Sequence, residues 1–369
     1  MDKQISYHQP TFTMKILFSL MKTVSWGLIL LSFLLLGKNA YSQCTANNWT
    51  YRYSTDVLYT PTGTWSSVTW KDGNWQPFYI YSSWIPQVRV TNTGWDTQLT
   101  LYGSNTAGSS LAYNDDCSTG GVTGSQSSLI AYRNDGSSVT GHLQLNKFSC
   151  SSTLTSSAAV YYRDIPKNPS INGGGDTVCS GTGVALSSSM SSYNDAYLDI
   201  QWGTTSGGTD ISADAGSVTV YPTTTTTYYM RGAVKACGTP GTQYTNVAST
   251  TVYVNANPTA PTSAAVSPNT VCSGVSTNYT LTYSGGSAGG SGGTLRWYEG
   301  SCGGTSIGSG NSVTITRSLT SNTTYYCRWE SNSCGNSACA NTTVTVNANP
   351  TAPTSAAVSP NTVCSGVST

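Results

Sequence analysis

Apolar and polar residues alternate in short bursts along most of this chain. Between residues 279 and 346 the apolar positions are Tyr279, Leu281 and Tyr283, then Leu295 and Trp297, then Val313 and Ile315, then Val344 and Val346. A period of two marks a strand with one face buried and one face in water. The pattern predicts strands over Tyr279–Tyr283, Leu295–Glu299, Val313–Thr316, Tyr325–Glu330 and Thr342–Val346, with a weaker one near Ala264. Gly/Ser-rich runs such as SGGSAGGSGG (284–293) separate them as turns. The first half alternates as well, in SSVTW, PFYIYSSW, PQVRVTN, TQLTLYG, SSLIAYR and GHLQLNKF.

The pattern also recurs. The 24 residues from Val254 to Thr277 return letter for letter from Val346 to Thr369, 92 residues later. A diverged copy lies upstream. TVCSG occurs at 177–181, 270–274 and 362–366; Ile200 and Trp202 align with Leu295 and Trp297; TTYYMR aligns with TTYYCR. A period this long is too large for a solenoid unit and fits an array of whole domains. About 92 residues, seven or so strands and one central Trp suit an immunoglobulin-like sandwich. The expected units are 43–166, which lacks the repeat, then repeats at 167–257 and 258–349, then the truncated start of a third at 350–369.

Composition sharpens this picture. Charged residues make up only 8% of the chain, and its two glutamates are Glu299 and Glu330. Good helix formers are therefore scarce, while 24 Tyr and 10 Trp supply surface to bury. The fold class expected is all-β: tandem β-sandwiches, a jelly-roll-like N-terminal domain followed by the repeats. Lys15 and Lys22 precede the apolar run WGLILLSFLLLG (26–37), and a small-residue site, AYS, follows. This reads as a signal peptide over 1–42, cleaved after Ser42, with the true start at Met14 or Met21. The run is short of the roughly 20 residues that a membrane span needs. Removing it leaves a net charge of −2. No basic patch is visible, so nucleic acid is a poor partner, and no membrane association is expected after cleavage.

All 11 cysteines follow the cleavage site, which fits an oxidising, extracellular destination and disulfides. The first repeat holds only Cys179 and Cys237, so these are expected to pair. Their equivalents Cys272 and Cys334 are then expected to pair in the second. Cys327 aligns with Met230 on an inward face and reads as a buried, inert thiol, which leaves Cys302–Cys339 as a second bridge. In the first domain Cys117–Cys150 is the expected pair, with Cys44–Cys150 as the alternative. Cys364 aligns with Cys272, its partner expected beyond Thr369.

The motif series VCSG, W, TTYY, SCG, VTVN over about 168–369 resembles the Ig-like repeats of large secreted and surface proteins of gliding-type Gram-negative bacteria. That resemblance implies non-catalytic spacers or adhesive modules. The stretch WDTQLTLYGSNTAGSSLAYNDDC (95–117), followed by SSLIAYR, resembles a pre-peptidase C-terminal-type domain, a small β-sandwich attached to secreted enzymes and surface proteins. The closing strand of that family, GTYYVRV, is replaced here by GHLQLNKFSC.

Two features of the first domain carry candidate chemistry. Asp96, Asn114, Asp115 and Asp116 gather hard oxygen ligands that suit calcium, although the spacing is not an EF-hand loop; capping a wet turn is the plainer role. Along PFYIYSSW, Tyr79 and Tyr81 share the face opposite Phe78 and Ile80, and Trp75 is nearby. Rings placed this way form a stacking platform for a surface polysaccharide or other extracellular polymer, or simply a tolerated wet face. No other cofactor is implied, and no catalytic residue is assigned. His142, the one histidine after the cleavage site, has no GxSxG elbow to serve, and neither CxxC nor HExxH spacing occurs. Glu299 and Glu330 are expected to pair with Arg296, Arg317 or Arg328 rather than flank a cleft. The expected function is structural or adhesive, secreted or at the cell surface. The alternative is the accessory region of a secreted peptidase or glycan hydrolase whose catalytic domain lies downstream.

Overall fold

The computed structural model describes residues 66–71, 75–90, 97–103, 110–114, 117, 128–147, 157–359, 361, 362, 365, 366 and 368. The described residues form 24 strands in six sheets. One 3-10 turn, Ser191–Tyr193, is the helical turn among them.

The leading sandwich comprises β1 (Ser66–Lys71), β2 (Trp75–Ile80), β3 (Trp84–Val90), β4 (Thr97–Tyr102), β5 (Ser110–Asn114), β6 (Ser128–Ala131), β7 (Val139–Lys147) and β8 (Ser157–Pro166). They pair as β1-β8-β3-β6 and β2-β7-β4-β5. The middle sandwich comprises β9 (Ile171–Asn172), β10 (Thr177–Cys179), β11 (Val184–Ser188), β12 (Leu198–Gly203), β13 (Ser217–Val220), β14 (Thr226–Val234), β15 (Gln243–Tyr244) and β16 (Ala248–Asn255). Its sheets are β10-β16-β14-β12, with β15 on β14, and β13-β11-β9. The last comprises β17 (Ser263–Ser267), β18 (Thr270–Cys272), β19 (Ser276–Ser284), β20 (Gly293–Glu299), β21 (Thr305–Ser309), β22 (Ser312–Ser318), β23 (Thr323–Ser331) and β24 (Ala340–Asn347). Its sheets are β17-β19-β22 and β18-β24-β23-β20-β21. Each repeat thus has eight strands rather than about six. The extra ones, such as β10, β18 and β21, are too short or too polar to alternate visibly.

Each repeat is organised around its tryptophan. Trp202 and Trp297 are fully buried. Each indole N–H donates to a carbonyl 13 residues downstream: Trp202 Nε1 to Ala215 O at 2.7 Å and Trp297 Nε1 to Gly310 O at 3.2 Å. The apolar body is removed from water while its polar edge stays satisfied. Directly opposite on the neighbouring strand sit Met230 and Cys327. Cys327 is buried and unbridged, and burial pushes its thiol up to about 11, so it packs as a small hydrophobe.

In the sheet β1-β8-β3-β6, the strands β3, β6 and β8 contribute to a core on each side. Val88, Val90, Ile130 and Val160 face the leading core with Leu99, Leu101, Leu143 and Leu145. The alternate positions Ile85, Ala131 and Ile165 join the core of the middle sandwich with Leu186, Trp202 and Met230. A strand sandwiched this way shows near-continuous burial instead of alternation, as β6 does at all four residues.

Replacing Trp297 with Ala is expected to destabilise the last sandwich by about 3–5 kcal/mol, the usual cost of truncating a buried large aromatic. Urea denaturation measures it. A loss below about 1 kcal/mol, the level of surface substitutions, contradicts the role given to the indole.

Candidate functional site: two stapled module junctions

The outward face of β3 and β8 carries Gln87, Arg89 and Arg163, polar residues that a solitary sandwich would present to water. Here they meet the middle sandwich. Gln87 Nε2 donates to Tyr197 O at 2.8 Å and to Lys235 O at 2.7 Å. Arg163 Nε donates to Gln87 Oε1 at 2.8 Å, and its two terminal nitrogens grip both oxygens of Asp195 at 2.9 Å. Burial pulls the Arg163 guanidinium below its usual value, and the Asp195 carboxylate opposes that shift. The Arg89 guanidinium lies 4.7 Å from the Tyr161 ring centre and 4.4 Å from that of Tyr197, a double cation–π contact. Further out, Arg133 Nη1 reaches Tyr244 O and Nη2 reaches Asn246 Oδ1.

The loop after β14 completes this junction. Cys237 N donates to Leu129 O at 2.9 Å, and Tyr113 and Thr239 exchange two backbone hydrogen bonds of 2.7 and 2.9 Å. Gly238 sits between them at φ +68°, and a Cβ there would lie 2.1 Å from Tyr113 O. Only glycine suits both that backbone and that approach. Cys117 and Cys237 are joined, Cα to Cα 5.7 Å, across 120 residues of sequence.

The second junction joins the middle and last sandwiches. The chain leaving β16 lies against the Gly/Ser run between β19 and β20. Thr259 and Ser287 exchange backbone hydrogen bonds of 3.0 and 3.1 Å, and Gly290 N donates to Ala256 O at 2.9 Å. A Cβ on Gly289 would approach Ala256 O to 2.4 Å, and one on Gly286 would lie 2.7 Å from Ala260 O. These glycines are a seat for the linker as well as a turn. A second disulfide, Cys179–Cys334, crosses this junction with a Cα separation of 5.4 Å and a sequence separation of 155.

These bridges correct the sequence-based pairing. Cys179 and Cys237 were expected to pair, as were Cys272 with Cys334 and Cys117 with Cys150. Cys179 lies opposite Asn255, at the end of β16 that abuts the start of β14. Cys237 follows the far end of β14, nine residues long, so strand length alone separates the two by about 30 Å. A disulfide tolerates a Cα separation below about 7 Å. The same geometry separates Cys272, opposite Asn347, from Cys334, beyond β23. Alignment of the repeats established which cysteines are equivalent but not that they occupy opposite poles. Cys302 and Cys339 are bridged within the last sandwich, Cys272 is exposed and unbridged, and Cys44, Cys150 and Cys364 lie outside the described residues.

The other flagged residues are less gathered. Of the calcium set, Asp96, Asp115 and Asp116 lie outside the described residues. Asn114 is buried, and its Oδ1 accepts from Leu129 N at 2.8 Å, tying β5 to β6. No group of three or more His, Cys, Asp or Glu suited to a metal occurs among the described residues. The side chains of Trp75, Tyr79 and His142 lie outside them. Tyr81 is half-buried in the turn between β2 and β3, where Trp84 N donates to Tyr81 O at 3.4 Å. Tyr81 directly follows β2 and opens the turn through Ser82 and Ser83, where the chain passes from one sheet to the other. Glu330 pairs with Arg296 at 2.9 Å and Arg328 at 2.7 Å, and Glu299 with Arg317 at 3.2 Å. Burial works against the Glu330 carboxylate, but hydrogen bonds from Tyr298 and Arg328 outweigh it and lower its pKa. Among the described residues no helix is long and apolar enough to cross a membrane.

Residues 258–348, which span the last sandwich, match the family described as Ig-like domain CHU_C associated. Among solved structures, the fibronectin(III)-like modules of Clostridium thermocellum CbhA are similar at 14% identity and a TM-score of 0.23, over 48% of this chain and 94% of theirs. Three N-terminal domains of the bacteriophage RB49 Highly Immunogenic Outer Capsid protein are similar at 16% identity and a TM-score of 0.20, over 49% and 59%. The N-terminal eight Ig domains of Down Syndrome Cell Adhesion Molecule are similar at 12% identity and a TM-score of 0.21, over 77% and 42%. No curated protein matches. The pre-peptidase C-terminal resemblance of the leading sandwich has no counterpart in these matches.

Asp164 gives this region a pH signature. It shares its β8 face with Val160 and Tyr162 and is buried, and its Oδ1 has no hydrogen-bond partner among the described residues. Burial pushes its carboxyl up from 3.8 to about 7. The folded state therefore holds a proton that the unfolded chain releases near pH 4. Stability from this group is full below pH 4 and falls as pH rises towards 7, by on the order of 1 kcal/mol per unit. Melting curves of the parent and Asp164→Asn across that window should diverge, the variant lacking this slope. Parallel curves contradict the assignment.

Proposed function

We propose that this chain is an exported, non-catalytic structural and adhesion protein. In this reading the Ig-like modules are stapled end to end into a stiff spacer, which holds the leading sandwich away from a cell surface to engage a polysaccharide or other extracellular polymer. The observation that carries the reading is the placement of the two cross-junction disulfides, Cys117–Cys237 and Cys179–Cys334. A catalytic scaffold gains little from fixing the angle between successive sandwiches, whereas a spacer that transmits force depends on it. Unbridged interdomain contacts of modest size leave relative motion as the default. A disulfide closing a loop of 155 residues lowers the unfolded chain's entropy by the equivalent of about 5 kcal/mol. Disulfides and an Ig-like match also support an extracellular or surface location.

Small-angle scattering of the oxidised mature chain tests the spacer. One well-defined maximum dimension is expected, and reduction, or the pair Cys179→Ser and Cys334→Ser, should broaden it. A profile unchanged by either treatment contradicts the stiffening role. A glycan array probed with the same chain tests the binding module; binding that survives Tyr79→Ala together with Trp75→Ala removes the aromatic platform from the reading.

A further inference from the structure

The two cross-junction bridges follow one rule. Cys237 and Cys334 are equivalent positions in successive repeats, each in a Cys-Gly loop after the long strand that pairs with the tryptophan strand. Each reaches back to the sandwich that precedes it, Cys237 to Cys117 and Cys334 to Cys179. Cys179 sits at the opposite pole of its own repeat, in the corner TVCSG. The last sandwich has the same corner, and there the cysteine is Cys272, exposed and unbridged.

The two corners agree bond for bond. Thr177–Cys179 runs parallel to Tyr253–Asn255, and Thr270–Cys272 runs parallel to Thr345–Asn347. Ser180 N donates to Asn255 O at 2.9 Å, and Ser273 N to Asn347 O at 3.0 Å. Gly181 N and Gly274 N donate to Pro222 O and Leu319 O at 2.9 and 2.8 Å. Asn257 Nδ2 donates to Ser180 O and Asn349 Nδ2 to Ser273 O, both at 3.1 Å. The segment that carries the chain from the first corner into the next sandwich, Asn255–Pro261, is duplicated without change as Asn347–Pro353 after the second. The second corner thus presents a module that follows it with the same exit sequence and the same hydrogen-bonded base as the first.

We infer that Cys272 is a covalent docking point for the Cys-Gly loop of a further Ig-like module of the same kind, led in by Asn347–Pro353. The Cys272 thiol and the incoming thiol each give up a proton and an electron. The acceptor is a disulfide-class oxidant, which departs as two thiols while the new S–S bond forms. The inference rests on the stapled-spacer reading. Scattering of the unextended chain tests that reading separately, so the two can fail independently.

The direct test lengthens the chain. Appending a second copy of residues 278–349 after Thr369 completes a third repeat, because Val346–Thr369 already duplicates Val254–Thr277. After export into an oxidising compartment, a non-reducing peptide map should join Cys272 to the copy of Cys334. Alkylation of Cys272, ready in the unextended chain, should be lost. In the extended chain Cys272→Ser should leave the copy of Cys334 open to alkylation. A bridge from that copy to Cys364, Cys272 found only in dimers of two chains, or Cys272 still alkylated all overturn the inference. A second measurement does not depend on the added module folding. With glutathione disulfide, Cys272 of the unextended chain should form a mixed disulfide as readily as Cys179 does in Cys334→Ser. If Cys272 resists while Cys179 reacts, the two corners are not equivalent and the inference fails.

Discussion

A nine-residue strand is about 30 Å long, and in each repeat that length stands between the TVCSG cysteine and the Cys-Gly cysteine. β14 and β23 are both strands of nine residues. Cysteines at opposite poles of a sandwich cannot reach each other, yet each is well placed to reach a neighbour stacked end to end. The crosslinks therefore run between sandwiches, and the rest of the junction chemistry is arranged around them. Gly238 lets the Cys-Gly loop lie against Tyr113, and the Gly/Ser run of the last sandwich lets the linker lie along it.

The first junction has more than its disulfide. The sheet β1-β8-β3-β6 serves two cores, so Gln87 and Arg163 are buried on its second face, with Arg89 half-buried beside them. Burying these groups is costly unless every donor is met. Gln87 and Arg163 are met by backbone carbonyls of the middle sandwich and by Asp195, which ties the orientation of one sandwich to that of the next. Along β3, Val88 and Val90 pack one way while Ile85 packs the other, so the strand belongs to both units.

Much of this fold could be read from the residues. The period-two runs, the central Trp of each repeat and the inward position of Cys327 follow from side-chain pattern and alignment, because strand alternation is local physics. What escaped was set by neighbours. Gln87 and Arg163 look like a wet face, and only the adjoining sandwich makes them interior. The cysteine partners depend on which pole of a sandwich faces which, and composition carries no record of that. Tyr81 is the first residue past β2 and opens the turn through Ser82 and Ser83 into β3, a strand end that the aromatic run conceals. The repeated segment shows the limit most directly. Ser263–Ser267 forms β17 against β19, whereas the identical residues 355–359 are exposed and outside any strand. A strand needs a partner as well as a sequence.

Disulfide mapping of the oxidised mature chain tests the central claim, that successive sandwiches are joined pole to pole. Proteolysis without reduction, followed by mass analysis, should yield peptides linking Cys179 to Cys334 and Cys117 to Cys237, with Cys272 unbridged. Peptides linking Cys179 to Cys237 and Cys272 to Cys334 would contradict it, for then each repeat closes on itself and no covalent staple crosses either junction.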